Sequence, residues 1–125
     1  MINSRSVLEL TQETRHKALQ WQQKCADDGL KVIFISTYRD NEFQDYLYDQ
    51  GRKNKEAIKT NLRGGESEHN HRAAWDFCVM KGKLCDWKNV EAFTKAGLIA
   101  ESLGLVWSGR WQGRLKETGH IQLKK

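Results

Sequence analysis

The chain has 125 residues, 38% of them hydrophobic, with 21 basic against 16 acidic side chains and a formal charge of +5. That is enough for one core and one domain over residues 1–125, and it excludes wholesale disorder, while the positive balance favours an anionic partner without choosing between nucleic acid, lipid and acidic wall polymer. No run approaches the roughly 18 apolar residues of a membrane span, and the start of the chain lacks the apolar block of a signal peptide, so neither membrane insertion nor export by a leader is expected.

Ser6 to Asp28 carries helical periodicity, with Val7, Leu8, Leu10, Ala18, Leu19, Trp21, Cys25 and Ala26 on one broad face. Ser6 and Glu9 fit a capping box and Gly29 a stop, and His16 falls on the solvated face. Val32–Ile35 reads as a short buried strand that delivers Ser36-Thr37-Tyr38-Arg39 to its end. Asp40 or Asn41 can cap a short helix running to about Gln50, with Gly51 as its stop. Residues 52–68, charged and broken by Gly64-Gly65, read as a loop. An apolar strand over Ala73–Met80 follows, then a Lys81-Gly82-Lys83 turn, a second long helix over Asn89–Leu103, and strands at Leu105–Trp107 and His120–Leu123. Helices and strands mix without a βαβ repeat. The expected fold is therefore α+β, a small, largely antiparallel sheet packed with two main helices and a short third one. The three cysteines lack paired C-x-x-C spacing and are expected to be reduced, packed thiols.

Asp76 is a carboxylate inside an apolar strand, and a buried unpaired carboxylate costs several kcal/mol, so it needs a cation, a metal or strong donors. His69 lies upstream, His120 lies near the end of the chain, and Glu117 stands three residues before His120. Two imidazoles and a carboxylate are a recurring ligand set for catalytic zinc, with a nearby glutamate as proton carrier. Fully extended, the chain from His69 to Asp76 would span about 23 Å, so it must fold back if both are to reach one ion. Ala74 shares a strand face with Asp76 and leaves room there, while Gln122 shares a face with His120 and can orient a ligand from behind. The bland alternatives remain open: Asp76 paired with Arg39 or Arg72, or His71 in place of His69.

Ser67-Glu68-His69-Asn70-His71-Arg72-Ala73-Ala74-Trp75-Asp76 resembles the S-x-H-x-x-G-x-A-x-D motif of the zinc D-Ala-D-Ala carboxypeptidase and dipeptidase family. Within that family it is most similar to phage endolysins of the L-alanyl-D-glutamate peptidase type. Ser36-Thr37-Tyr38-Arg39 with Gln44 and Leu47–Arg52 resembles S-x-Y-R…Q…L-Y-x-Q-G-R. Thr60-Asn61, Gly64-Gly65 and Ser67 stand ahead of the first histidine as in that family. Trp107-Ser108-Gly109-Arg110-Trp111 resembles W-G-G-D-W, and Glu117-Thr118-Gly119-His120 the acidic-x-x-His closing motif. The resemblance implies one zinc ion held by His69, Asp76 and His120, Glu117 as general base and then acid, and Arg39 beside the developing oxyanion. It places Ser67, Gln44 and Trp111 at the substrate. Three departures stand out: Arg72 where the family has Gly, Gly119 where Pro is common, and Arg110 for the Asp of W-G-G-D-W. If position 72 needs a positive φ, Arg would be strained there.

The implied activity is hydrolysis of the L-Ala–D-Glu bond of the peptidoglycan stem peptide by a monomer with no separate wall-binding module. Such a lysin waits in the host cytoplasm and depends on a holin-type protein to reach the wall. The nearest rival keeps the zinc and trims D-Ala-D-Ala ends instead. Rivals of another class are a metal-dependent nuclease and a non-catalytic wall-binding module; the nuclease reading lacks a zinc-knuckle or helix-borne ligand pattern, and nucleic acid is not expected as a partner.

Overall fold

The computed structural model describes residues 1–53, 57–60, 62–111 and 117–125; Asn61, one residue of the resemblance, lies outside them. Three helices, α1 (Gln12–Asp27), α2 (Asn41–Asp49) and α3 (Val90–Ser102), accompany five strands. The strands are β1 (Val32–Ser36), β2 (Ala74–Lys81), β3 (Leu84–Cys85), β4 (Leu105–Trp107) and β5 (His120–Leu123). The sheet order is β1-β2-β5-β4 with β3 paired to β2, and every pairing is antiparallel. This is the expected α+β architecture. No helix among the described residues is long and apolar enough to cross a membrane.

Alternation along β2 separates core from site. Trp75, Phe77 and Val79 enter the apolar core with Trp21 of α1, Phe93 of α3 and Ile121 of β5, while Asp76 takes the opposite face. Trp21 lies edge-on to Phe77 with ring centroids 4.9 Å apart, and its indole N–H donates to the Ala96 carbonyl at 2.9 Å, so this large ring carries no unsatisfied donor into the core. Gly97 and Gly109 flank the Trp107 indole; a Cβ on either would stand 2.1 Å from a ring carbon.

The N-terminal region departs from the expected single helix. Val7–Glu9 is an isolated 3-10 turn capped by Ser6, Leu10 is extended, and α1 starts after Thr11, whose hydroxyl accepts from the Thr14 amide at 3.2 Å. A second capping residue, Thr11, therefore competes successfully with the Ser6 box. As a result Leu8 is exposed, as are Leu19 and Ala26, and the buried stripe is Thr14, Ala18, Trp21 and Cys25. β1 is half-buried along Ile33–Ile35 because it lies at the edge of the sheet.

The cysteine expectation is corrected in part. The β2–β3 hairpin brings Cys78 and Cys85 to a Cα separation of 5.7 Å, and they form a disulfide, a pairing that hairpin geometry allows at a spacing unlike C-x-x-C. Cys25 is a free, packed thiol, and burial pushes it up to about 12.

Candidate metal centre

Strand register assembles half of the site. Asp76 of β2 pairs directly with His120 of β5, and Ala74 pairs with Gln122, so all four side chains share one face of the sheet. The third member comes from a 3-10 turn, Glu68–His71, which makes the required fold-back. Ser67 and Asn70 cap that turn reciprocally, the Ser67 hydroxyl accepting from the His69 amide at 3.2 Å. Arg72 then reverses the chain at φ 59, ψ 30, the one non-glycine residue at positive φ among those described. The side chain that replaces the family's glycine is anchored. Its guanidinium lies 3.8 Å from the Tyr38 ring centroid and donates to the Glu9 carboxylate at 2.8 Å and the Glu9 carbonyl at 2.9 Å. These contacts offset the roughly 1–2 kcal/mol of a left-handed L-residue.

The imidazole nitrogens are committed in complementary ways. His69 donates from Nδ1 to the Thr37 carbonyl at 2.8 Å, which leaves the Nε2 lone pair 3.0 Å from Asp76 Oδ1. His120 donates from Nε2 to Gln122 Oε1 at 2.9 Å, which leaves the Nδ1 lone pair 2.9 Å from the same oxygen. Two lone pairs and a carboxylate oxygen thus converge, all three within 4.8 Å of one another. Three acceptors cannot face one another without a cation or added protons between them. Two imidazole nitrogens and a carboxylate oxygen are a donor set that suits a divalent ion such as zinc, which His69, Asp76 and His120 would hold. The described residues supply the partners behind both rings that such ligands use, Thr37 and Gln122.

Arg39 stands beside Asp76, as the structural alternative had it. Its Nη2 donates to Asp76 Oδ2 at 3.0 Å and to Ser36 Oγ at 3.3 Å, and Nη1 donates to Gln44 Oε1 at 3.0 Å. Arg39 therefore holds one carboxylate oxygen and turns the other toward the histidines. Burial alone would raise the Asp76 carboxyl, but the facing His69 and His120 rings hold it well below the usual carboxylate range. For His120, burial pulls down while the hydrogen bond and charge of Asp76 push harder, and the ring stands above the ordinary histidine value.

A groove lined by Arg39, Ser67, His69, Asp76, Trp111, Glu117, His120 and Gln122 opens over this cluster. Glu117 is half-exposed, its Oε2 3.9 Å from His120 Nδ1. The Trp111 ring lies 5.8 Å from that of His120 and walls the groove. Gln44, expected at the substrate, is instead fully buried behind Arg39, with its amide donating to the Leu62 carbonyl at 2.8 Å. Its oxygen holds Arg39, and its amide nitrogen ties α2 to the loop. Ser67 lines the groove, but its hydroxyl already caps the His69 turn. His71 points away, with Nε2 2.8 Å from the Gly65 carbonyl. Arg110 pairs with Glu101 of α3, away from the groove. Sequence reasoning missed Thr37 and Ser108. Thr37 acts through a backbone carbonyl, which carries no side-chain signal, and the Ser108 hydroxyl faces the carbonyls of Glu117 and His120, a contact that only the fold creates.

The family model for VanY, described as D-alanyl-D-alanine carboxypeptidase, matches residues 7–120. The peptidoglycan L-alanyl-D-glutamate endopeptidase CwlK of Bacillus subtilis (strain 168) is 35% identical over 114 residues, covering 78% of this chain and 64% of that protein. The L-alanyl-D-glutamate peptidase of Listeria phage A118 is 26% identical, covering 98% of this chain and 40% of that protein. The chain thus spans under two thirds of either relative. The crystal structure of Serratia marcescens L-Ala D-Glu endopeptidase ChiX superposes with a TM-score of 0.71 at 14% identity, over 98% of this chain and 89% of that one, which is a likeness of fold.

Proposed function

The chain belongs to the VanY family of D-alanyl-D-alanine carboxypeptidases, and from that membership we propose that it is a zinc-dependent peptidoglycan peptidase that cuts the L-Ala–D-Glu bond of the stem peptide. The observation that carries the zinc is the pair of imidazole lone pairs aimed at a single Asp76 oxygen. His69, Asp76 and His120 would hold the ion; when bound, it supplies Lewis acidity to a water and to the scissile carbonyl. Glu117, at the groove edge beside His120, takes a proton from the attacking water and passes it to the leaving amine of D-Glu. Arg39 orients Asp76 and lines the groove, where its guanidinium stands beside the developing oxyanion. Trp111 offers an apolar wall to the stem peptide.

Preference for the L-Ala–D-Glu bond rests on the two relatives named above, which carry that activity in their names. The family's own description supports a second reading, release of terminal D-Ala. From the phage source of one relative we propose a lysin role, with a separate protein opening the membrane ahead of it. Purified muropeptides digested with the zinc-loaded protein distinguish the bonds: mass spectrometry is expected to find peptides beginning with D-Glu, and free D-Ala in their place overturns the choice. Glu117→Ala is expected to keep the metal and lose about 10²–10⁴-fold in turnover; full activity in that variant removes Glu117 from the mechanism.

A further inference from the structure

The turn that presents Glu117 and His120 is held by its carbonyls, one after another. The Thr118 carbonyl accepts from the Trp107 indole at 2.9 Å, and the Gly119 carbonyl accepts from the Phe77 amide at 2.8 Å. The carbonyls of Glu117 and His120 both face one hydroxyl, Ser108 Oγ, at 2.6 and 3.1 Å. The Glu117 amide in turn donates to the Ser108 carbonyl at 3.4 Å, so both backbone bonds that Glu117 makes to described residues end on Ser108. Ser108 is wholly buried at the start of the 3-10 turn after β4, so its hydroxyl has no water to exchange with. Gly119 cannot stiffen this turn itself, because a Cβ there would stand 2.8 Å from the Phe77 carbonyl. The Glu117 side chain is half-exposed, so little packing holds it and its backbone anchor fixes the point from which it reaches into the groove.

We propose that Ser108 is a positioning residue for the proton carrier: its buried hydroxyl sets where the Glu117 carboxylate stands over the His69–Asp76–His120 cluster. The inference rests on the reading of Glu117 given above, and the position of Asp76 and of the His69 ring does not depend on it, because neither touches Ser108. Loss of the hydroxyl therefore displaces Glu117, whose backbone bonds end on Ser108, while His120 keeps its strand pairing with Asp76 and its bond to Gln122.

The test compares wild type, Ser108→Ala, Ser108→Cys, Glu117→Gln and the double variant Ser108→Ala/Glu117→Gln. Ser108→Ala is expected to lower kcat on muropeptides about tenfold, the scale of one buried hydrogen bond, with KM and zinc stoichiometry unchanged. Ser108→Cys, which fills the same space with a poor donor, is expected to follow it, and the substitution is expected to have no further effect on kcat in the Glu117→Gln background. A readout that needs no turnover is amide hydrogen exchange followed by NMR: the Glu117 amide is expected to lose protection in Ser108→Ala while the amides of β2 keep theirs. Unchanged Glu117 protection overturns the proposal whether or not the protein cuts peptidoglycan. So does wild-type kcat in either single Ser108 variant, or a Ser108→Ala effect that multiplies undiminished on Glu117→Gln. A wild type with no activity on muropeptides overturns the functional reading instead, and the exchange measurement still decides the role of Ser108.

Discussion

The turn that carries His69 and the turn that carries His120 do the same job by different means. The first is built from its own residues: Ser67 and Asn70 cap each other, and Arg72 closes the reversal. The second is held from outside, by Ser108 and Trp107 on the preceding strand and turn and by Phe77 of β2. A self-capped turn carries part of its geometry in its own sequence, whereas a turn clamped from a distance has its geometry only once the sheet has formed. Asp76 is where the two meet, since one of its oxygens faces both rings.

Breaking that meeting point is expected to have the largest effect. Asp76→Ala removes the shared oxygen and leaves Arg39 buried without its carboxylate, so metal binding and activity are lost together. The metal-free protein is destabilised by about 3–5 kcal/mol, the usual cost of orphaning a buried charge. Plasma emission spectroscopy and urea unfolding check both, and a stable, metal-loaded variant would remove Asp76 from the site. Next in size is Gln122→Ala, which leaves the His120 ring without its rear partner. Zinc affinity is expected to fall about 10–100-fold, as it does when such partners are removed elsewhere. Competition with a chromogenic chelator measures it, and an unchanged affinity shows that the second turn does not rely on that hydrogen bond.

Acid acts on the His120 side of the site more gently. Asp76 holds the metal-free His120 above its ordinary value, so a proton competes for Nδ1 at higher pH than on a free imidazole. The sign follows: apparent zinc affinity climbs as pH rises through that raised value and declines as pH falls below it. In the metal-free protein the same group adds stability that is present below its unfolded value and lost as pH rises through its folded one. Zinc titrations across that range read the first effect, and a flat profile contradicts it.

The smallest effect belongs to Arg72, where a pair of variants isolates backbone strain. Arg72→Ala keeps the left-handed strain and loses the Tyr38 and Glu9 contacts, whereas Arg72→Gly loses the same contacts and also relieves the strain. The glycine variant is expected to be more stable than the alanine variant by about 1 kcal/mol. Equal midpoints in urea would show that the reversal at residue 72 carries no strain.

Much of this molecule was legible in one dimension. Two long helices, a short one and a mainly antiparallel sheet follow from periodicity and caps, and Asp76 declares itself as a charge in an apolar strand. Asp76, His120 and Gln122 have faces that strand alternation gives, whereas His69 is legible by residue type and by the resemblance, and the 3-10 turn that aims it came from the fold. The competition between Ser6 and Thr11 to start the first helix was not legible, because both are good caps and only packing around Leu10 and Thr14 chooses between them. Nor was the Cys78–Cys85 link, which depends on where the β2–β3 hairpin turns. The roles of Gln44, Thr37 and Ser108 came from tertiary structure alone. Each acts on a partner in another segment of the chain, Gln44 on Leu62, Thr37 on His69 and Ser108 on His120, and such bonds exist only after those segments have been brought within 3 Å or so of one another. Residue type determined which atoms could bind a cation; the fold determined which of them face one another.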